Sequence, residues 1–124
     1  MNAIHTDNAP AAIGPYSQAI EVKGFVFASG QIPIDPATGN FVEGGIKEQT
    51  RQALTNAQNI LKAAGTDFAH VVKTTVYLDS MDDFAAMNEV YAEFFSQPFP
   101  ARSAVAVEKL PKGALVEVEV LAAK

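Results

Sequence analysis

Residues 70–95 read "HVVKTTVYLDSMDDFAAMNEVYAEFF", and one change of period inside them decides the fold. Through Leu78 the run is β-branched and apolar, with Val71, Val72, Thr74, Thr75 and Val76, and this favours a strand. From Ser80 onward the apolar residues Phe84, Met87, Tyr91, Phe94 and Phe95 return at helical spacing. Ser80 suits the N-cap, and Asp82 and Asp83 fall in the first turn, where the helix dipole favours negative charge. The strand is apolar or Thr at nearly every position, which predicts burial on both of its faces.

Working outward, "GIKEQTRQALTNAQNILKAAG" (45–65) predicts a first helix. Ile46, Ala53, Leu54, Ala57, Ile60, Leu61 and Ala64 share its apolar side, and Gly65 fits a left-handed cap. Upstream, "YSQAIEV" (16–22) and "FVFASGQI" (25–32) flank Lys23-Gly24 and predict a hairpin. A turn-rich loop (33–40) and a short strand at Phe41–Val42 follow. Residues 1–15 read as an extended arm, since Pro10, Gly14 and Pro15 oppose a helix. Downstream, "ARSAVAV" (101–107) and "ALVEVEVLAA" (114–123) predict two strands joined by "EKLPKG". The order β-β-(β)-α-β-α-β-β predicts an α+β domain with both helices on one sheet face. The other face lacks a covering layer, which predicts a second subunit there.

The 124 residues predict one domain, residues 1–124. At 48% hydrophobic and 19% charged, the chain can build a packed core. A net charge of −5 without a basic tract argues against nucleic acid and against anionic membrane surfaces. No apolar run approaches a membrane span, and the N-terminal stretch lacks a basic segment followed by an apolar core. The expected location is therefore cytoplasmic. The absence of Cys removes disulfides, thiolate nucleophiles and Cys-ligated metals. His5 and His70 lack metal-like spacing, and no metal is expected.

"FPARSAV" (99–105) places an arginine inside an apolar run. With the valines of both final strands turned to the helices, Arg102, Glu117 and Glu119 would share the opposite face. An antiparallel register then sets Ala104 opposite Glu117 and Arg102 opposite Glu119, making Arg102 and Glu117 diagonal neighbours. That pair is either an ion pair on a solvated sheet face or a small pocket under another subunit. In a pocket, Arg102 would grip a carboxylate in bidentate fashion and Glu117 would move protons.

"GPYSQA" (14–19), "SGQIP" (29–33), "VKTTVYL" (72–78), "DDFAAMNEVYAEFF" (82–95) and "FPARSAV" (99–105) together resemble the RidA family of reactive enamine/imine deaminases. The resemblance runs in order along nearly the whole chain. It implies a chorismate-mutase-like mixed sheet, a homotrimer with clefts between subunits, and no cofactor. It also implies hydrolysis of 2-imino acids, made by pyridoxal-phosphate dehydratases from serine or threonine, to 2-keto acids and ammonia. By resemblance Arg102 binds the substrate carboxylate and Glu117 positions or activates water. Tyr16 and Asn88 line the cleft, and Ser29 and Gly30 face the ligand. Many deaminating members have Cys after "ARS", where this chain has Ala104, so at that position the backbone carbonyl alone would contact substrate. Other readings are a chorismate mutase, disfavoured by the single clearly placed cation, and an RNA-cleaving protein, disfavoured by the net charge. The remaining alternative is a non-catalytic trimer that binds or senses small carboxylates, a role in which Glu117 would repel the ligand.

Overall fold

The computed structural model describes residues 1–124. One six-stranded sheet runs in the order β1-β2-β3-β6-β4-β5. The strands are β1 (Asn2–Ile4), β2 (Ala19–Val22), β3 (Phe25–Ala28), β4 (Val71–Leu78), β5 (Ala101–Ala106) and β6 (Val116–Ala123). Helices α1 (Ile46–Ala63) and α2 (Phe84–Phe94) complete the α+β fold. The hairpin forms where expected. Lys23 and Gly24 turn it at φ of 50° and 81°, the left-handed pair that a two-residue turn needs. The arm is not wholly irregular, because Asn2–Ile4 pairs with β2. Phe41 makes only an isolated bridge to Ile34, so the short strand expected at Phe41–Val42 is absent.

Both helix ends follow local chemistry. Glu48 accepts a hydrogen bond from the Gly45 N–H at 2.9 Å, satisfying a donor at the start of α1. Gly65, at φ +84°, closes the other end as its N–H and that of Thr66 donate back to Lys62 and Leu61. Ser80 accepts from the Asp82 N–H at 3.1 Å and caps the short turn that leads into α2.

The expected pairing of the last two strands fails. β5 and β6 are not neighbours: β4 lies between them, antiparallel to β6 and parallel to β5. Parallel pairing needs a crossover, and α2 supplies it between β4 and β5. β6 then returns past β4 into the middle of the sheet. Arg102 is opposite Thr74 and Ala104 opposite Val76, while Glu117 is opposite Tyr77.

This register sorts the faces. Thr74, Val76, Leu78, Val116, Val118 and Val120 are buried beneath the helices. Arg102 and Ala104 share that face, and Ala104 packs against the core. Ser103 and Val105 take the other face with Glu117 and Glu119, the reverse of the expectation for β5. Within one chain β4 is buried on its helix side alone. Its open side carries Lys73, Thr75 and Tyr77, beside Phe25, Phe27 and Val105 at 43%, 50% and 45% exposure.

The buried layer of α1 is not all apolar. Gln49 accepts from the Leu115 N–H at 2.9 Å. Asn56 donates to Ile32 O and Ile34 O at 3.2 and 2.9 Å. These two amides, two turns apart, tie the helix to the segments that flank Glu117 and Gly30. Gln31 links those segments directly, exchanging backbone bonds of 2.8 and 3.0 Å with Val118.

Candidate active site

The candidate residues form two groups on opposite faces of the sheet. The first lies under α2. Arg102 Nη1 donates to Asn88 Oδ1 at 2.6 Å. Its guanidinium carbon lies 4.7 Å from the Tyr91 ring centre and 5.4 Å from that of Phe84. Phe99, Pro100 and Ala92 complete the hollow, whose volume is about 400 Å³. The chain has a second arginine for comparison. Arg51 meets both carboxylate oxygens of Glu93, at 3.2 and 3.0 Å. Arg102 meets no carboxylate and keeps part of its donor fork free in a partly apolar hollow.

The backbone of β5 adds to this group. Val107 N–H donates to Leu78 O at 2.9 Å. By alternation the polar groups of Ser103 and Val105 also turn to β4, and those of Arg102, Ala104 and Ala106 point out from the sheet edge. The Ala104 carbonyl is thus unpaired within the chain, while its methyl faces the core.

The second group surrounds Glu117. Tyr16, Ser29, Gly30 and Glu117 line one hollow of about 410 Å³ with Ile13, Ile32 and Lys112. Gln18 shapes its wall. Buried at the start of the hairpin, Gln18 accepts from the Thr6 N–H at 2.7 Å and donates to Pro10 O at 2.8 Å, pinning the arm. Ser29 Oγ donates to Ser17 O at 2.6 Å, so toward a ligand it offers only its lone pairs. Gly30 N–H donates to no acceptor of the chain.

Burial lifts the Glu117 carboxyl above its ordinary value, and the Glu119 charge adds to this. No donor of the chain pairs with it. Folding therefore favours protonated Glu117, and between the ordinary and the raised value stability falls as pH rises. Glu117→Gln removes a desolvated, unpaired charge. The variant should melt above the wild type at neutral pH, with the gain vanishing once pH falls below the ordinary carboxylate range. Thermal melts across pH check this.

The expected direct Arg102–Glu117 contact is absent: β5 carries Arg102 to the helix side and β6 carries Glu117 to the open side. Asn88 joins Arg102, whereas Tyr16, Ser29 and Gly30 join Glu117. The sequence marks Tyr91 and Phe84 only as apolar helix residues and carries no separate signal for Gln18. The signal for Tyr91 and Phe84 is their spacing, since Phe84, Asn88 and Tyr91 fall on one helix side at i, i+4 and i+7. Lys73 lies on the open face, where its Nζ donates to Ser103 Oγ at 3.1 Å. No group of three or more His, Asp or Glu side chains is placed to hold a metal ion. No helix is long and apolar enough to cross a membrane.

Residues 6–124 match the family model described as endoribonuclease L-PSP. The chain belongs to this family. Among L-PSP relatives, a RutC family protein of Pyrococcus horikoshii is 59% identical over 121 residues, covering 98% of this chain and 96% of that protein. The 2-iminobutanoate/2-iminopropanoate deaminase of Homo sapiens is 52% identical over 119 residues, covering 96% and 87%. Solved L-PSP-type structures superpose over the whole chain. RidA of an Antarctic Psychrobacter gives a TM-score of 0.96 at 45% identity, covering 100% of both chains. E. coli TdcF with bound serine gives 0.95 at 40%, covering 100% and 99%. The RidA resemblance drawn from five short motifs thus holds along the full length.

Proposed function

We propose that this protein hydrolyses short 2-imino acids, such as 2-iminobutanoate and 2-iminopropanoate, to 2-keto acids and ammonia. In this reading it protects pyridoxal-phosphate enzymes from such intermediates. The observation that carries it is the pairing of chemistries. An arginine without a carboxylate partner lies on one face, and a desolvated carboxylate without a cation lies on the other. Relatives above 50% identity named as imine deaminases support the reaction class. The serine bound by the E. coli relative supports an amino-acid-sized ligand.

Assembly as a homotrimer would bring the Arg102 group of one subunit to the Glu117 group of the next. The unpaired outer edge of β5 and the exposed Phe25, Phe27 and Val105 support such contacts. Arg102 docks the substrate carboxylate and Gly30 N–H remains available to a ligand oxygen. The imine nitrogen first takes a proton from solvent; Glu117, ionised, then takes a proton from the water whose oxygen attacks the imine carbon, and the C=N π pair moves onto nitrogen. The C–O bond forms and gives a carbinolamine. Glu117 then returns its proton to the nitrogen, the hydroxyl proton passes to solvent as the C–N bond breaks, and ammonia leaves a keto acid. The carboxyl acts as base and then as acid, and the net reaction consumes one water.

The test is a coupled assay in which threonine dehydratase generates 2-iminobutanoate and keto-acid formation is followed with and without this protein. Acceleration supports the deaminase. No acceleration, with the assembly intact by light scattering, favours the carboxylate-binding alternative.

Gly30 offers a second check. A Cβ at position 30 would stand 2.8 Å from the Glu117 carboxyl carbon, too close for a real contact. The flexible carboxylate must then move. Gly30→Ala should lower turnover by up to about a hundredfold, the scale of an ångström-sized misplacement, with a much smaller change in Tm.

A further inference from the structure

Resting on the reading of Arg102 as the carboxylate grip, we propose that Tyr91 is a positioning residue that sets the plane of the Arg102 guanidinium. Tyr91 is buried, and its hydroxyl shares a 2.8 Å hydrogen bond with Thr74 Oγ1. Its ring stacks on Phe95 at 4.4 Å, and Phe95 stacks on Phe68 at 4.7 Å. The phenol is thus held at its tip and along one face. Over it lies the Arg102 guanidinium, 4.7 Å away, with Phe84 at 5.4 Å.

An arginine side chain has four rotatable bonds before its planar group, so an unsupported one samples many orientations. Asn88 fixes one nitrogen but leaves rotation about that bond. A ring beneath the guanidinium removes this freedom, because the cation favours the aromatic face. The remaining donors then lie in one plane, the arrangement that a planar carboxylate meets with two parallel bonds. Thr74 lies opposite Arg102 in the β4–β5 register, so one pair of strands holds both the arginine and the anchor of its platform.

Binding of 2-oxobutanoate, the keto-acid product, tests this by calorimetry on the assembled protein. Tyr91→Leu should weaken binding about tenfold, the scale of one desolvated cation–π contact. Tyr91→Phe keeps the ring and should bind close to wild type, although losing the Thr74 bond lowers its Tm. Tyr91→Leu added to Arg102→Ala should cause no further loss, since the ring acts only through the arginine. Should Tyr91→Leu fail to fold, Tyr91→Met takes its place in both arms. Wild-type affinity in the ring-less variant, or its full penalty persisting on top of Arg102→Ala, overturns the role of Tyr91 alone. Undiminished binding by Arg102→Ala overturns the carboxylate grip itself and the platform with it.

Discussion

Arg102→Ala should lose about a hundredfold or more in kcat/KM for 2-iminobutanoate while keeping its fold and assembly. Each hydrogen bond to a charged group is worth roughly 1.5–3 kcal/mol, and two parallel bonds to a carboxylate reach that scale together. The substitution should leave the core nearly intact. Arg102 is only partly buried, makes no salt bridge, and holds Asn88 from the rim. Arg102→Lys is the sharper control. It keeps the charge but lacks the planar fork, so it should recover only part of the loss. A stopped-flow or coupled keto-acid assay, with light scattering on the same samples, reads both quantities. Wild-type turnover in Arg102→Ala would remove the carboxylate grip from the mechanism.

Glu117→Gln should lose about 10²–10⁴-fold in kcat, the usual contribution of one general acid–base group. It should still bind 2-oxobutanoate, because Gln keeps the shape and removes a charge that repels the ligand. Binding without turnover separates a proton-transfer role from a structural one. The wild-type pH profile carries the same signature. The base must be ionised, so activity should fall on the acid side through a group titrating above the ordinary carboxylate value, the direction given by burial and Glu119. That limb should be absent from the residual rate of Glu117→Gln. Joint loss of ligand binding and turnover would instead give Glu117 a structural part.

Most of the fold was legible because it follows from local periodicity. The change of period at Ser80, the left-handed Gly65 and the Lys23-Gly24 turn each settle their own element. Strand neighbours are a different kind of information. "ARSAVAV" and "ALVEVEVLAA" are adjacent in sequence, and alternation alone fits a hairpin. What separates them is the crossover through α2, which makes β5 a parallel partner of β4 and leaves the centre to β6. The error carried over to Arg102, whose face depends on which strand it pairs with. The residues carried by motif resemblance fall into two groups, Arg102 with Asn88 and Tyr16, Ser29 and Gly30 with Glu117. Tyr91 was hidden because an aromatic at helical spacing reads as core, and it is indeed core on one of its faces. Gln49 and Asn56 were hidden because the helical pattern counts apolar residues and passes over amides that tie loops.

The sheet that divides Arg102 from Glu117 bears on how damaged chains behave together. In the proposed ring of identical subunits each cleft would draw one half from each of two neighbours. A chain lacking Arg102 still carries a sound Glu117 group, and a chain with Glu117→Gln still carries a sound arginine. Co-expressed in equal amounts, two inactive chains should therefore rebuild intact clefts at roughly a quarter of the interfaces. Either chain alone should show only its residual rate. Dilution should also silence the wild type once its subunits part, by mass action and without any chain unfolding. Competence would then belong to the contact between molecules, and inheritance of two different defects could be milder than inheritance of one defect twice.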